Sequence, residues 1–313
     1  MEKINSRPVQ PSGSTVVPVR ESAFDTVLGH SRGLQQVIQL ARKVAVTDVP
    51  VLLTGETGTG KEVFAQAIHN GSARAKQPFV AINCSAFSKE LLESEIFGHK
   101  AGAFTGALKD KKGLFEEANH GTIFLDEIGE MAYGLQAKLL RVLETGEYIK
   151  VGDTKPTKID VRIVSATNRN LKEEIANSNF REDLYFRLSV FHLHLPPLRE
   201  RREDIPELAA AFLKFFAAKM GKQVKGFAAD CQAWMQSYAW PGNVRELRNV
   251  IERALIICDD YITLDDMPLD FRSSTLSGSA ADGDDFELAE AEHRHIQRVL
   301  QYTKGNKARR PGS

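Results

Sequence analysis

The chain has 313 residues, enough for two domains with sizeable cores, and its 42% hydrophobic and 26% charged residues are ordinary for a soluble globular fold. Its 41 Lys and Arg cancel its 41 Asp and Glu, which excludes a global pull toward nucleic acid or membrane and confines any such contact to a local patch. No apolar run approaches the roughly 20 residues of a membrane span, residues 1–20 hold no hydrophobic signal region, and Cys84, Cys231 and Cys258 form no CxxC pair; buried thiols, no membrane contact and a cytoplasmic location are expected.

In chain order, residues 1–22 are rich in Pro, Ser and Val and read as a flexible leader. Ser31 is placed to cap a helix whose apolar stripe is Leu34, Val37, Ile38, Ala41 and Val44. Short apolar runs then occur at Val49–Thr54, Phe79–Asn83, Thr122–Leu125, Val161–Ser165 and Val190–Leu195, most of them separated by helical patterns such as 61–70 and 135–144. Buried strands alternating with helices predict an α/β fold, a parallel sheet covered on both faces, over residues 23–196. Leu195-Pro196-Pro197-Leu198 breaks this rhythm, and the chain beyond it reads as helical only, at about 205–219, 228–238 and 244–258. The last of these carries a capping box, Asn243 with Glu246 three residues on. A smaller helical domain is thus expected over 197–272, a Ser/Gly/Asp-rich linker over 273–285 and a final helical segment within 286–313.

Gly55, Glu56, Thr57, Gly58, Thr59, Gly60 and Lys61 carry the G-x-x-x-x-G-K spacing between an apolar strand and a helix. Glycines let backbone N–H groups turn inward around phosphate oxygens, the helix N-terminus adds partial positive charge, and Lys61 reaches the outer phosphates. Glu62 stands where most such loops have a Ser or Thr hydroxyl on Mg²⁺, which shifts metal binding toward downstream carboxylates and water. Asp126 and Glu127 end an apolar strand; at the carboxyl end of a parallel sheet they lie beside the loop, Asp126 to organise Mg²⁺ and Glu127 to orient the attacking water. A solvated strand end is the plainer alternative for this acidic pair. Asn168 at the next strand end fits either a γ-phosphate contact or ordinary turn chemistry.

Gly102-Ala103-Phe104-Thr105-Gly106-Ala107 reads GAFTGA, and with the phosphate loop it resembles one branch of the AAA+ ATPases, the bacterial enhancer-binding proteins that activate RNA polymerase carrying sigma-54. The stretches 95–99, 180–188, 195–199 and 240–247 agree, so the resemblance covers roughly residues 24–270. The branch commonly reads GETGTGKE, which makes Glu62 a mark of lineage. The resemblance implies ATP and Mg²⁺ as ligands and a helical lid after the α/β domain. It implies that Asn83 holds the catalytic Glu127 in an inactive pose and that Thr167 and Asn168 form sensor I. Arg181 and Arg187 correspond to arginine fingers and Arg245 to sensor II. A finger acting from a neighbouring subunit requires head-to-tail assembly, implying a homo-oligomeric ring, a hexamer by resemblance. The GAFTGA loop is implied to engage sigma-54, remodelling the closed polymerase complex at the expense of ATP. From the residues alone, two glycines around Phe104 and Thr105 suit either a loop presenting an aromatic at its tip or a tip tucked on the body.

Phe286–Arg310 resembles the first helix of the family's DNA-binding helix-turn-helix, and the sequence leaves no room for a recognition helix, so base readout by this chain is not expected. Two rival readings remain: another AAA+ remodelling ATPase, disfavoured by GAFTGA, and a DNA-binding regulator using nucleotide only as ligand, disfavoured by Glu127 and the two arginines.

Overall fold

The computed structural model describes residues 21–268. The chain divides into two compact units, Met1–Asp266 and Met267–Ser313. Every element named below belongs to the first; residues 1–20 of the expected leader, the linker and the final helix lie outside the described residues, while Glu21 and Ser22, expected in the leader, open a 3-10 helix, Glu21–Phe24.

The elements in order are α1 (Arg32–Ala45), β1 (Val51–Thr54), α2 (Lys61–Asn70), β2 (Phe79–Asn83), α3 (Lys89–Phe97), α4 (Leu114–Glu117), β3 (Thr122–Asp126), α5 (Tyr133–Thr145), β4 (Glu147–Ile149), β5 (Pro156–Lys158), β6 (Arg162–Thr167), α6 (Leu171–Ala176), α7 (Glu182–Leu188), β7 (Phe191–His194), α8 (Ile205–Met220), β8 (Gly226–Phe227), α9 (Ala229–Ser237), α10 (Asn243–Ile257) and β9 (Tyr261–Ile262). Five strands form one sheet in the order β2-β3-β6-β1-β7, and each of its pairings is parallel. The expected α/β architecture is therefore present, with β1 internal and the loop after it at the sheet's carboxyl edge.

Strand alternation divides the core into two layers. Leu52, Ile123, Leu125 and Ile163 face one way, against Leu92, Ile96, Phe97, Leu135 and Leu139 of α3 and α5. Val51, Leu53, Phe124, Val164 and Ala166 face the other, against Leu34, Ile38, Ala41, Phe64 and Ile68 of α1 and α2. Arg162 is the buried cation of this sheet; its guanidinium donates to the carbonyls of Val44 (2.9 Å) and Ala45 (2.7 Å) and so caps the C-terminus of α1. Burial lowers its pKa to about 10.

The structure departs from the sequence pattern at specific places. The antiparallel pair β4–β5 and the two-residue parallel pair β8–β9 were not expected, because each run is too short to show a period. Ser31 precedes α1 as its N-cap residue, but its side chain does not cap the helix; the hydroxyl donates to Asp204 (2.6 Å). Asn243 is not the N-cap of α10. Gly242 holds that place, Glu246 accepts from the Gly242 N–H (2.8 Å), and Asn243 is the first helical residue, freeing its carboxamide for other partners. The three cysteines are buried free thiols, as expected.

Asp204, fully buried before α8, ties this helical part back to the N-terminal segment: its carboxylate accepts from the His30 and Ser31 N–H groups (2.7 Å each) and from the Ser31 hydroxyl. Asp204→Ala strands those donors and is expected to lower stability by about 3 kcal/mol in urea unfolding; an unchanged midpoint would show the tie to be dispensable.

Candidate nucleotide site

The loop after β1 is built to turn its N–H groups inward. Gly55, Gly58 and Gly60 have φ of +151°, +81° and +105°, which side chains resist. At Gly58 space matters as much as rotation, since a Cβ there would lie 2.3 Å from the Gly242 carbonyl oxygen. Lys61 opens α2, and its ammonium donates to the carbonyls of Gly55 (2.9 Å) and Glu56 (3.2 Å), folding the loop over itself.

The other loop carbonyls are held from outside. Asn243 Nδ2 donates to Thr57 O (3.0 Å), the N–H groups of Val244 and Arg245 to Gly58 O (3.0 and 3.3 Å), and buried Arg201 to Thr59 O (2.9 Å). Glu56 receives both arms of Arg199 (2.8 and 2.7 Å) and Asn243 Nδ2 (3.1 Å). The Arg199 guanidinium first, and Asn243 second, hold the Glu56 carboxyl below its ordinary pKa. The sequence pattern assigns Asn243 only a helix-capping role, and it assigns Arg199 and Arg201 no role at this loop.

A cleft of about 530 Å³ lies over the loop. Its polar lining includes Lys61, Glu62, Asp126, Glu127, Arg245 and Arg248, with Thr57, Gly58 and Gly60 along the loop side. Leu28, Val63, Phe212 and Phe215 supply an apolar wall, which sequence reasoning missed because these residues come from separate segments. Burial lowers the Lys61 pKa, and the facing Glu127 and Asp126 partly offset that. Positive Lys61 and Arg245, two carboxylates and an apolar wall together match a phosphorylated ligand with an apolar moiety.

Asp126 Oδ1 accepts from the Glu127 N–H (3.0 Å), and Glu127 sits in the left-handed region at φ +50°, an uncommon backbone state at a strand end. Its carboxylate accepts from the Asn168 N–H at 3.3 Å. Asn83, which the resemblance implies holds Glu127, has its Oδ1 accepting from the N–H (2.8 Å) and hydroxyl (2.7 Å) of Ser85, closing the turn after β2. Asn168 Nδ2 donates to Thr57 Oγ1 (3.0 Å), while Thr167 is buried and its hydroxyl accepts from the Arg169 N–H (3.1 Å). Asn168 lines a neighbouring cavity of about 330 Å³ with Gly55, Glu56, His192 and His194.

No group of three or more His, Cys, Asp or Glu poised to hold a metal occurs among the described residues. Mg²⁺ generally takes only one or two carboxylates and completes its shell with water and ligand phosphates, so Asp126 and Glu127 fit such an ion bound with nucleotide.

Arg181 and Arg187 are not among the residues lining the 530 Å³ cleft. Arg181 pairs with Asp183 (3.0 and 2.7 Å) and lies over the Tyr133 ring; Arg187 reaches Glu144 at 3.5 Å. These solvent-facing pairs are weak and readily exchanged for another anion.

The GAFTGA hexapeptide leaves the body just after α3. Its base is closed by the His99–Lys111 bridge, by Lys100 N–H to Val151 O (3.0 Å) and by Gly102 N–H to Ala107 O (2.8 Å). Ala107 is buried, Gly102, Thr105 and Gly106 are exposed, and Ala103 is half-buried. Phe104 combines both expected states: it is 43% exposed, yet one edge packs against His99 at 4.9 Å between ring centroids.

Lys61→Ala is expected to weaken ATP binding roughly 100-fold, equivalent to about 2.7 kcal/mol, by calorimetry. In the unaltered chain, affinity should fall as pH rises through the lowered Lys61 pKa, earlier than for an exposed lysine, because only the ammonium form attracts phosphate. Equal affinities in the two proteins would contradict the assignment.

Comparison with known proteins agrees with this geometry. The family model described as the sigma-54 interaction domain matches residues 27–194, and that of the AAA+ ATPase lid domain matches 199–283. A Nif-specific regulatory protein of Enterobacter agglomerans is 49% identical over 255 residues, 82% of this chain and 49% of that protein. The transcriptional regulatory protein ZraR of Klebsiella oxytoca is 44% identical over 307 residues, 96% of this chain and 69% of that one. The chain thus spans about half to two thirds of the length of these curated relatives. The crystal structure of NtrX from Brucella abortus in complex with ATP superposes with a TM-score of 0.75 at 37% identity, covering 90% of this chain and 64% of NtrX. The chain therefore belongs to the AAA+ family of sigma-54-dependent transcriptional activators, with the sigma-54 interaction domain followed by an AAA+ lid.

Proposed function

We propose that this protein hydrolyses ATP and uses the cycle to move the GAFTGA loop against sigma-54, remodelling the closed complex of its RNA polymerase. The observation that carries the reading is the convergence of Lys61, Asp126, Glu127 and Arg245 on one cleft over the phosphate loop. Backbone N–H groups of residues 57–62 and the Lys61 ammonium would bind the phosphates, and the apolar wall the base. Asp126 would hold Mg²⁺, which offsets phosphate charge when bound. Glu127 would orient the attacking water and take its proton.

Support for the coupling comes from chain connectivity. Asn83, ending β2 beside Asp126 in register, is followed by the nine-residue α3, which runs directly into the loop. A short helix moves as a rigid lever, so a change at the strand ends reaches Phe104 through α3 and its Ser94–His99 bond (2.7 Å). Arg181 and Arg187, set away from their own cleft and held by weak pairs, suit action on a neighbouring protomer's nucleotide in a ring.

Glu127→Gln is expected to retain ATP affinity while hydrolysis falls on the order of 100-fold or more; normal turnover would remove its catalytic role. Specific ATPase activity of the unaltered protein should rise with its concentration, whereas a constant value would exclude a finger supplied in trans. Phe104→Ala should leave hydrolysis intact and abolish open-complex formation with sigma-54 polymerase, and retained open complexes would defeat the loop assignment.

A further inference from the structure

We infer that Thr57 is a positioning residue that joins the end of β6 to the lid through the phosphate loop, an inference resting on the ATPase reading above. Thr57 is an exposed residue of the loop, yet it is bonded on two sides. Its hydroxyl accepts from the Asn168 carboxamide at 3.0 Å, and its carbonyl accepts from the Asn243 carboxamide at 3.0 Å. Asn168 is also the residue whose N–H holds the Glu127 carboxylate. Asn243 is fully buried at φ +52°, and its Oδ1 accepts from the Leu198 N–H at 2.7 Å, which fixes it to the segment leading into the lid. The two residues after Asn243 bond Gly58 O, and the second of them is Arg245.

One residue thus connects the strand end that holds the catalytic carboxylate with the helix that carries Arg245. Movement of the Glu127 carboxylate in the cleft would shift Asn168, which donates to it, and so pull on Thr57 Oγ1, and Thr57 O would carry the change to Asn243 and the first turn of α10. The converse also holds: a shift of the lid would reposition Asn168 and with it Glu127. Phosphate recognition by loop N–H groups does not need the Thr57 side chain. Binding and coupling should therefore separate when the hydroxyl is removed.

The test compares Thr57→Val, which keeps the branched shape and loses the hydroxyl, with Thr57→Ser, which keeps it. In the full chain, affinities for ATPγS and ADP, steady-state ATP hydrolysis, thermal midpoint and amide hydrogen exchange over residues 243–247 are measured. The unaltered and Ser proteins should show extra protection of residues 243–247 with ATPγS over ADP. The Val protein should bind both nucleotides within about two-fold of the unaltered chain, lose that extra protection, and hydrolyse ATP on the order of 10-fold more slowly. A Val protein that keeps normal hydrolysis and the ATPγS-specific protection would overturn the relay alone. Equal loss of affinity for both nucleotides with a lowered midpoint would likewise overturn it, making Thr57 a structural residue. An unaltered chain that binds neither nucleotide would overturn the ATPase reading and the relay together.

Discussion

A loop that points its N–H groups at phosphate must point its carbonyls away from it, and buried carbonyls need donors. That constraint organises the nucleotide end of this molecule. Lys61 serves Gly55 and Glu56, Thr59 also serves Glu56, Asn243 serves Thr57, Val244 and Arg245 serve Gly58, Arg201 serves Thr59, and Phe64 serves Gly60. Arg201 lies 142 residues downstream of its partner and Asn243 lies 186 downstream, in the lid and the segment entering it. The phosphate loop is thus a structure shared between the α/β part and the lid, and Gly58 is the point where the two backbones approach too closely for any side chain.

This sharing explains which features were legible in the sequence. Gly55–Lys61 and Asp126–Glu127 were readable because their chemistry lies within a few residues of one strand end. Four of the five parallel strands were readable as short, mostly apolar runs, and β7, Phe191-His192-Leu193-His194, by its alternation of apolar and polar residues. Asn243 was misread as a helix cap because an Asn before a helix with Glu three residues on satisfies the local rule; its carboxamide is instead recruited by Thr57, Glu56 and Leu198. Arg199 and Arg201 carry no local sign of the bonds they make, since their partners are set by the return of the chain from β7 to the loop. The apolar wall of Leu28, Val63, Phe212 and Phe215 assembles from separate segments in the same way.

The remaining parts of the proposed motor are held loosely, in contrast to the loop. Arg181 and Arg187 sit in solvent-facing pairs with Asp183 and Glu144, whose carboxylates a phosphate could replace. Phe104 leans on His99 while nearly half of it faces solvent, and Gly102 and Gly106 at φ +81° and +101° have open space around them. Tight donors around the nucleotide and weak contacts on the proposed moving parts are what a nucleotide-driven switch requires, because a modest change in binding free energy can then shift only the loose elements.

If these parts form one motor, nucleotide state controls what the GAFTGA loop binds. That control is read most directly from binding of purified sigma-54 to this chain with ADP alone and with ADP plus an aluminium fluoride mimic of the transferring phosphoryl group, beside a Phe104→Ala protein. A stable complex is expected only with the mimic and only with Phe104 present. Equal binding in ADP and in the mimic, or undiminished binding by the Phe104→Ala protein, would contradict it.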